Sequence, residues 1–185
     1  MVVEQRKRTS KGRFAPEVTF YTTGKFDTRL DARWAVLLDT LAIGYRYDRA
    51  EENPGEGSML RIPRFGDFRL LVRRHTPIAA DIRRAQRWVH TGIAREVVIL
   101  AGKPSSKGTY SGYSWWRNSA GEFGQSGYVL WRECLWCSWL CLDTVNVACP
   151  NPDCEEFGRL SASTAQLAMA YKVARSVRLS SAGTV

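Results

Sequence analysis

Four of the five cysteines form two close pairs, Cys134-Leu-Trp-Cys137 and Cys149-Pro-Asn-Pro-Asp-Cys154, and all five fall between residues 134 and 154. Thiolates delivered as two pairs from two turns are what a tetrahedral zinc site requires. C-x2-C is the usual knuckle spacing. C-x4-C is at the wide end of the range, with Pro150 and Pro152 stiffening the second turn. The expected metal ligands are Cys134, Cys137, Cys149 and Cys154, with Zn2+ as a structural cofactor. A closed four-thiolate site leaves no open position for catalysis, so the metal contributes to folding. Cys141 is either a spare thiol or a substitute ligand, and buried thiols without metal are the alternative reading. Trp115, Trp116, Trp131, Trp136 and Trp139 crowd the same region. Such rings build the small core of a ribbon, stack on unpaired bases, or anchor a protein interface.

Other chemistry is sparse. His75 and His90 are the only histidines, and neither has a spaced carboxylate partner or nucleophile beside it. Gly102-Lys-Pro-Ser-Ser-Lys107 lacks the spacing of a phosphate-binding P-loop, so Lys103 and Lys107 read as a flexible basic loop. The net charge of +9 favours an anionic partner, nucleic acid above all, although charge also serves solubility. No apolar run is long enough to span a bilayer, and the basic N-terminus carries no signal-type apolar segment. No membrane partner is expected. A cytoplasmic location is, where thiols stay reduced and available to metal.

The elements that must position these groups read as follows. Residues 1–16 form a basic tail, either a solvated phosphate contact or a terminus without function. A helix over 28–43 opens with a capping box, Thr28 and Asp31, carries the stripe Leu30, Trp34, Leu37, Leu38 and Leu41, and ends at Gly44. Tyr45–Tyr47, Met59–Ile62 and Phe68–Val72 read as strands, separated by the turns Asn53-Pro-Gly-Glu-Gly57 and Phe65-Gly66-Asp67. A second helix over 78–91 turns Ile78, Ile82, Ala85 and Val89 inward, with Arg83, Arg84 and Arg87 on its other faces, and stops at Gly92. Glu96–Ala101 is a buried-type strand, paired parallel to its neighbour because it follows a helical crossover. The order helix, three strands, helix, strand predicts an α/β domain over 17–102, a sheet covered by helices. Residues 103–127, rich in Gly, Ser, Lys and Tyr, read as a linker; 128–158 as a zinc ribbon; and 159–185 as a helix at 163–178 and a tail. That helix has Leu167, Tyr171, Ala174 and Val177 on its apolar side and Lys172, Arg175 and Arg178 on its basic side.

Thr28-Arg-Leu-Asp-Ala-Arg-Trp-Ala-Val-Leu-Leu-Asp39, with Gly44-Tyr-Arg-Tyr47 after it, resembles a helix motif of actinobacterial and phage proteins, S-R-x-E-A-R-W-A-x-F-F-D leading into W-x-Y-E-P. Ala168-Met-Ala-Tyr-Lys-Val-Ala-Arg-Ser-Val-Arg178 is similar to the ending of the same group. The resemblance is to PD-(D/E)XK, restriction-endonuclease-like proteins with an added zinc ribbon. It covers most of the chain loosely and is specific at 28–47 and 168–178. It implies a restriction-endonuclease-like α-β-β-β-α-β core, and a site where a helix carboxylate, the Asp of an L-P-D-F strand and an E-x-K strand hold a divalent cation. Asp31 matches the helix carboxylate. Ile62-Pro63-Arg64-Phe65 matches L-P-D-F with Arg64 in place of the aspartate, and Leu71-Val72-Arg73 matches E-V-K without its glutamate. One carboxylate beside two guanidinium groups does not hold Mg2+ for hydrolysis.

The expectation is a non-catalytic nucleic-acid-binding protein. Arg64, Arg73, Arg74, Lys103, Lys107 and Arg175 would contact DNA or another nucleic acid, the first three in the former active-site groove; arginines on a solvated strand edge are the plain alternative. Asp31 itself is accounted for by helix capping. Two other functions stay open. One is a Mg2+-dependent endonuclease built on Asp31, Asp67 and Arg73. The other is a protein-interaction module for a host or phage protein, which would show an exposed aromatic patch and weak salt dependence.

Overall fold

A computed structural model describes residues 19–21, 24–50, 57–65, 67–105, 112–127, 129–143, 149, 151, 153–154 and 160–181. The basic tail at 1–16, most of the first turn (53–56), Gly66, Lys107, Pro150 and Pro152 lie outside the described residues. In chain order the elements are β1 (Thr19–Tyr21), β2 (Gly24–Phe26), α1 (Arg29–Thr40), β3 (Arg46–Asp48), β4 (Met59–Arg61), β5 (Phe68–Arg73), α2 (Ala79–His90) and β6 (Glu96–Ala101). They continue with β7 (Gly112–Arg117), β8 (Phe123–Ser126), β9 (Leu130–Cys134), β10 (Leu140–Asp143), β11 (Leu160–Ser161), α3 (Ala165–Ser176) and β12 (Ser180–Ser181).

The expected order of helix, three strands, helix and strand is present as α1-β3-β4-β5-α2-β6. The main sheet runs β3-β4-β5-β6-β7-β8. Its one parallel pair is β5–β6, in register from Phe68↔Glu96 to Arg73↔Ala101. The α2 crossover between them dictates that direction. Both strands are buried on both faces, which explains their near-continuous apolar runs. On one face Met59, Leu71, Val97, Ile99 and Trp115 pack under Ala85, Trp88 and Val89 of α2. On the other, Leu60, Leu70, Val72, Val98 and Leu100 meet Trp34, Leu37 and Leu38 of α1 and Leu167, Tyr171 and Ala174 of α3. Two small sheets, β12-β1-β2 and β10-β9-β11, complete the molecule.

Four sequence expectations are corrected. Residues 112–117 and 123–126 are not linker: β7 pairs antiparallel with β6 and β8 with β7, extending the main sheet by two strands. The ribbon does not end at 158, because Leu160 and Ser161 pair with Cys134 and Glu133 of β9. Gly44 does not terminate α1; Ala42 does, at φ +53, with its N–H donating to the Asp39 carbonyl (3.0 Å) and the Ile43 N–H to Leu38 (2.9 Å). That is a Schellman closure with alanine in the left-handed position glycine usually fills. Ile78 is not an inner-face residue of α2 but its N-cap, 63% exposed, while Trp88, unforeseen, is fully buried. Gly92 does end α2, at φ +73.

Candidate metal centre and cationic rim

β9 delivers Cys134 into the turn Cys134–Cys137, and β10 carries the chain away. The turn closes because Ser138 adopts φ +55, its N–H donates to the Cys134 carbonyl (2.9 Å), and the Cys134 N–H donates to Trp139 (2.9 Å). Cys149 and Cys154 come from a second turn, in which the Cys154 N–H donates to the Asn151 carbonyl (3.1 Å). The four sulfurs lie within 4.8 Å of one another. Cys134 to Cys154 is 4.0 Å and Cys137 to Cys149 is 3.6 Å. A tetrahedron with Zn–S bonds of 2.3 Å has edges of about 3.8 Å, between those two values. A disulfide needs about 2.05 Å, and no disulfide joins any of the five cysteines. The quartet can therefore hold one metal ion and is compatible with structural zinc.

Asn151 supports the quartet from outside. Its side-chain amide faces the Cys137 sulfur at 3.6 Å and its backbone N–H the Cys149 sulfur at 3.5 Å. The amide donated by Asn151 holds the Cys137 thiol down at about 6, whereas burial pushes Cys149 up to about 12 and also raises Cys154. A divalent ion displaces the remaining protons, so affinity rises with pH. Cys141 is buried on β10 beside Cys134 and Leu160 and stands outside the quartet.

The predicted nucleic-acid contacts divide between two ends of the sheet. β4 and β5 form an antiparallel pair, so Arg64, just past β4, lies beside the start of β5, and Arg73 is at its far end, roughly 17 Å away along six residues. Arg64, Arg73 and Arg74 therefore do not share one groove; Arg64 instead stacks on Trp139 of the ribbon, 4.0 Å from the ring centre. Arg73, the exposed Arg74 and the exposed Lys103 do assemble, at the carboxyl ends of the parallel strands β5 and β6. The Gly102 N–H donates to the Arg73 carbonyl (2.8 Å), and the Trp34 indole N–H donates to the Gly102 carbonyl (3.0 Å). Arg33, beside Trp34 on α1, donates to the carbonyls of Ala174 (2.6 Å) and Arg175, which ties the end of α3 to α1.

The same antiparallel geometry separates the proposed carboxylates. Asp67 precedes β5 and is exposed at the Arg64 end, while Asp31 is at the Arg73 end. Asp31 is 3% exposed and accepts three hydroxyls, from Thr28 (2.7 Å), Tyr47 (3.2 Å) and Ser58 (3.3 Å). Its N–H donates back to the Thr28 hydroxyl, which confirms the capping role. Burial raises its pKa above the ordinary carboxylate value. Asp81 faces Arg73 at 2.7 Å and is committed to that ion pair. Among the described residues, the four-cysteine cluster is the grouping of metal-ligating side chains found, and no helix is long and apolar enough to cross a membrane.

No family model matches this chain, and no curated protein or solved structure is significantly similar to it.

Three residues escaped the sequence reading. Met59, packed with Leu71 under α2, is the β4 residue on the sheet face of Leu71 and Arg73, a role the reading gave to Arg64. The sequence signal there is thin, because Met59 and Leu60 are both apolar and alternation begins only at Leu60-Arg61-Ile62. Asn151 was visible as the residue two beyond Cys149, where a second-turn N–H donor belongs. Ser138 carried no signal, because serine does not announce a left-handed backbone.

Proposed function

We propose that this protein binds nucleic acid without cutting it, on a degenerate restriction-endonuclease-like core braced by a structural zinc. The observation that carries this reading is the cationic rim. In open α/β sheets, ligands bind outside the carboxyl ends of the parallel strands. Here Arg73, Arg74 and Lys103 lie at that position in the β5–β6 register, and Arg33 of α1 ties in the end of α3, which carries Arg175. The N-terminus of α2 opens at the same end, where Asp81 of its first turn accepts from the Ile78 N–H (3.4 Å) and pairs with Arg73 (2.7 Å), so the exposed positive charge of the rim is that of Arg74 and Lys103.

Three features support binding without hydrolysis. Met59 and Leu71 are apolar where a nuclease would present carboxylates. Asp31 is buried, and one of its oxygens, Oδ2, already accepts three hydroxyls. Asp67 stands at the opposite end. The charge distribution agrees: residues 128–160 hold Arg132 and Arg159 against Glu133, Asp143, Asp153, Glu155 and Glu156, so the positive excess lies outside the ribbon.

A second reading, a protein-docking module, is favoured by one observation. Leu135 and Trp136 at the tip of the first cysteine turn are 64% and 67% exposed, on that acidic ribbon. Aromatic anchors of this kind carry interface energy.

The test is binding to labelled duplex DNA at two salt concentrations with Mg2+ or Mn2+ present, product length being read on a gel. The expected result is intact DNA and affinity that falls steeply with salt. The double variant Arg74→Glu/Lys103→Glu should lower affinity at least about tenfold and flatten the salt slope. Cleaved product overturns the non-catalytic reading. Absence of binding at both salts overturns the nucleic-acid reading in favour of the docking module.

A further inference from the structure

We propose that a cleft on the α2 side of the sheet, remote from the rim, is a binding site for a single nucleobase. Among the described residues α2 is the helix that covers this face; it packs on β6 and β7 and reaches β8 through His90. The gap it leaves is a cleft of about 190 Å³ between the last turns of α2 and β7–β8. An apolar cavity of about 150 Å³ holds benzene, so this one has room for a planar heterocycle.

The lining has the chemistry of a base site. Phe123 provides an aromatic face, held by His90 at 4.2 Å between ring centres and by Arg117 at 5.3 Å. Phe123 nonetheless keeps 49% of its surface exposed, which leaves a ring free to stack. Trp116 stands opposite Gly124, where a Cβ would fall 2.0 Å from its indole, so by strand alternation this ring covers the other face of β8 from Phe123 and Gln125. Gln86 from α2 and Gln125 from β8 bring one primary amide each from opposite sides. A primary amide donates and accepts at once, which matches the paired donor and acceptor atoms on a base edge. Beneath them Trp115, 6% exposed, has an indole N–H with no hydrogen-bond partner. A buried donor of this kind is satisfied by a carbonyl or ring nitrogen. No carboxylate is among the residues that line the cleft.

The site is independent of the rim. Trp116 pairs with Glu96 at the start of β6, whereas the rim is at its end. The base can come from a free nucleotide or from an unpaired base in a strand. AMP, GMP, CMP and UMP, and short single-stranded oligonucleotides, are titrated separately into the metal-loaded full chain. The readouts are the NMR signals of the Gln86 and Gln125 side-chain amides and the Trp115 indole N–H. Saturable shifts with the monophosphates support the free-nucleotide source; shifts with oligonucleotides alone support a strand base. Gln86→Ala and Gln125→Ala should each weaken binding about fivefold. Phe123→Ala, at an exposed position, should weaken it about tenfold. Arg74→Glu/Lys103→Glu should leave monophosphate binding unchanged even where it abolishes duplex binding. Absence of shifts with any probe at millimolar concentration, or binding that Gln86→Ala, Gln125→Ala and Phe123→Ala all leave intact, overturns the proposal.

Discussion

Asp31 is the residue on which the enzymatic and structural readings diverge, and its surroundings decide what it contributes. It is buried at the first turn of α1 with three hydroxyls donating to it. Burial is the largest cause of its raised pKa. The folded chain therefore holds this proton more tightly than the unfolded chain does, and the ionised form costs stability above the raised value. That cost disappears as pH falls through the raised pKa toward the ordinary carboxylate value of about 3.9. Asp31→Asn should remove this acid-side gain. At pH 7 it should leave stability within about 1 kcal/mol of the native chain, or higher, because the carbonyl still accepts from the hydroxyls. Urea unfolding at pH 7 and in the acid range, with and without Mg2+, measures it. A loss well beyond that figure, together with Mg2+-dependent stabilisation of the native chain alone, would identify Asp31 as a metal ligand instead.

At the scale of elements, the junction between sheet and ribbon shows what was legible and what was not. Gly112 opens β7 with its Cα against Val129, just before β9. An added Cβ would fall 2.9 Å from the Val129 Cβ, 3.0 Å from the Val129 carbonyl oxygen and 3.2 Å from Leu100. Gly112→Ala should therefore cost about 1–3 kcal/mol in denaturant unfolding, since the backbone it meets has little room to give. An unchanged midpoint would mean that β7 and the ribbon are loosely joined. The sequence predicts a linker here because Gly, Ser and Lys suppress every strand signal, and edge strand β8 is only Phe123-Gly-Gln-Ser126. By contrast α1, α2, α3, β5 and β6 were legible, because burial on a helical stripe or on both faces of a strand writes itself as apolar periodicity. The cysteine quartet was legible for a different reason: spacing alone fixes which four thiols a turn can bring together. The rim was half legible. Arg73, Arg74 and Lys103 converge only through the parallel β5–β6 register, which no local pattern reveals, and misjudging the β4 register sent Arg64 to the wrong end.

The whole molecule behaves as one core rather than as a domain carrying a separate ribbon. Leu130, Trp131 and Leu140 of the ribbon pack in the same cluster as Trp34, Leu70 and Tyr171. Glu133 of β9 accepts the hydroxyl of Thr164, the residue that caps α3. Phe65 and Trp131 approach to 6.2 Å, and Arg64 stacks on Trp139. A metal held by Cys134, Cys137, Cys149 and Cys154 would therefore stabilise strands that the core itself requires. Ion binding to a folded four-thiolate site is folding free energy, and ligand that favours the folded state raises its melting temperature by mass action. Stripping the metal with a strong chelator should lower the melting temperature of the main sheet as well as of the ribbon, in a single transition that excess zinc restores. Asn151→Ala, which deletes the amide facing Cys137, should weaken metal affinity about tenfold or more and lower that transition in the same direction. Far-ultraviolet circular dichroism and tryptophan emission followed on the same sample are the measurement, because the tryptophans report from both the ribbon and the α2 face. Coincident loss of the two signals is the outcome a shared core requires. A ribbon signal that melts alone, with the sheet transition unmoved, would show that Trp131 and Leu140 add little to the core, and that the metal braces only the turns around it.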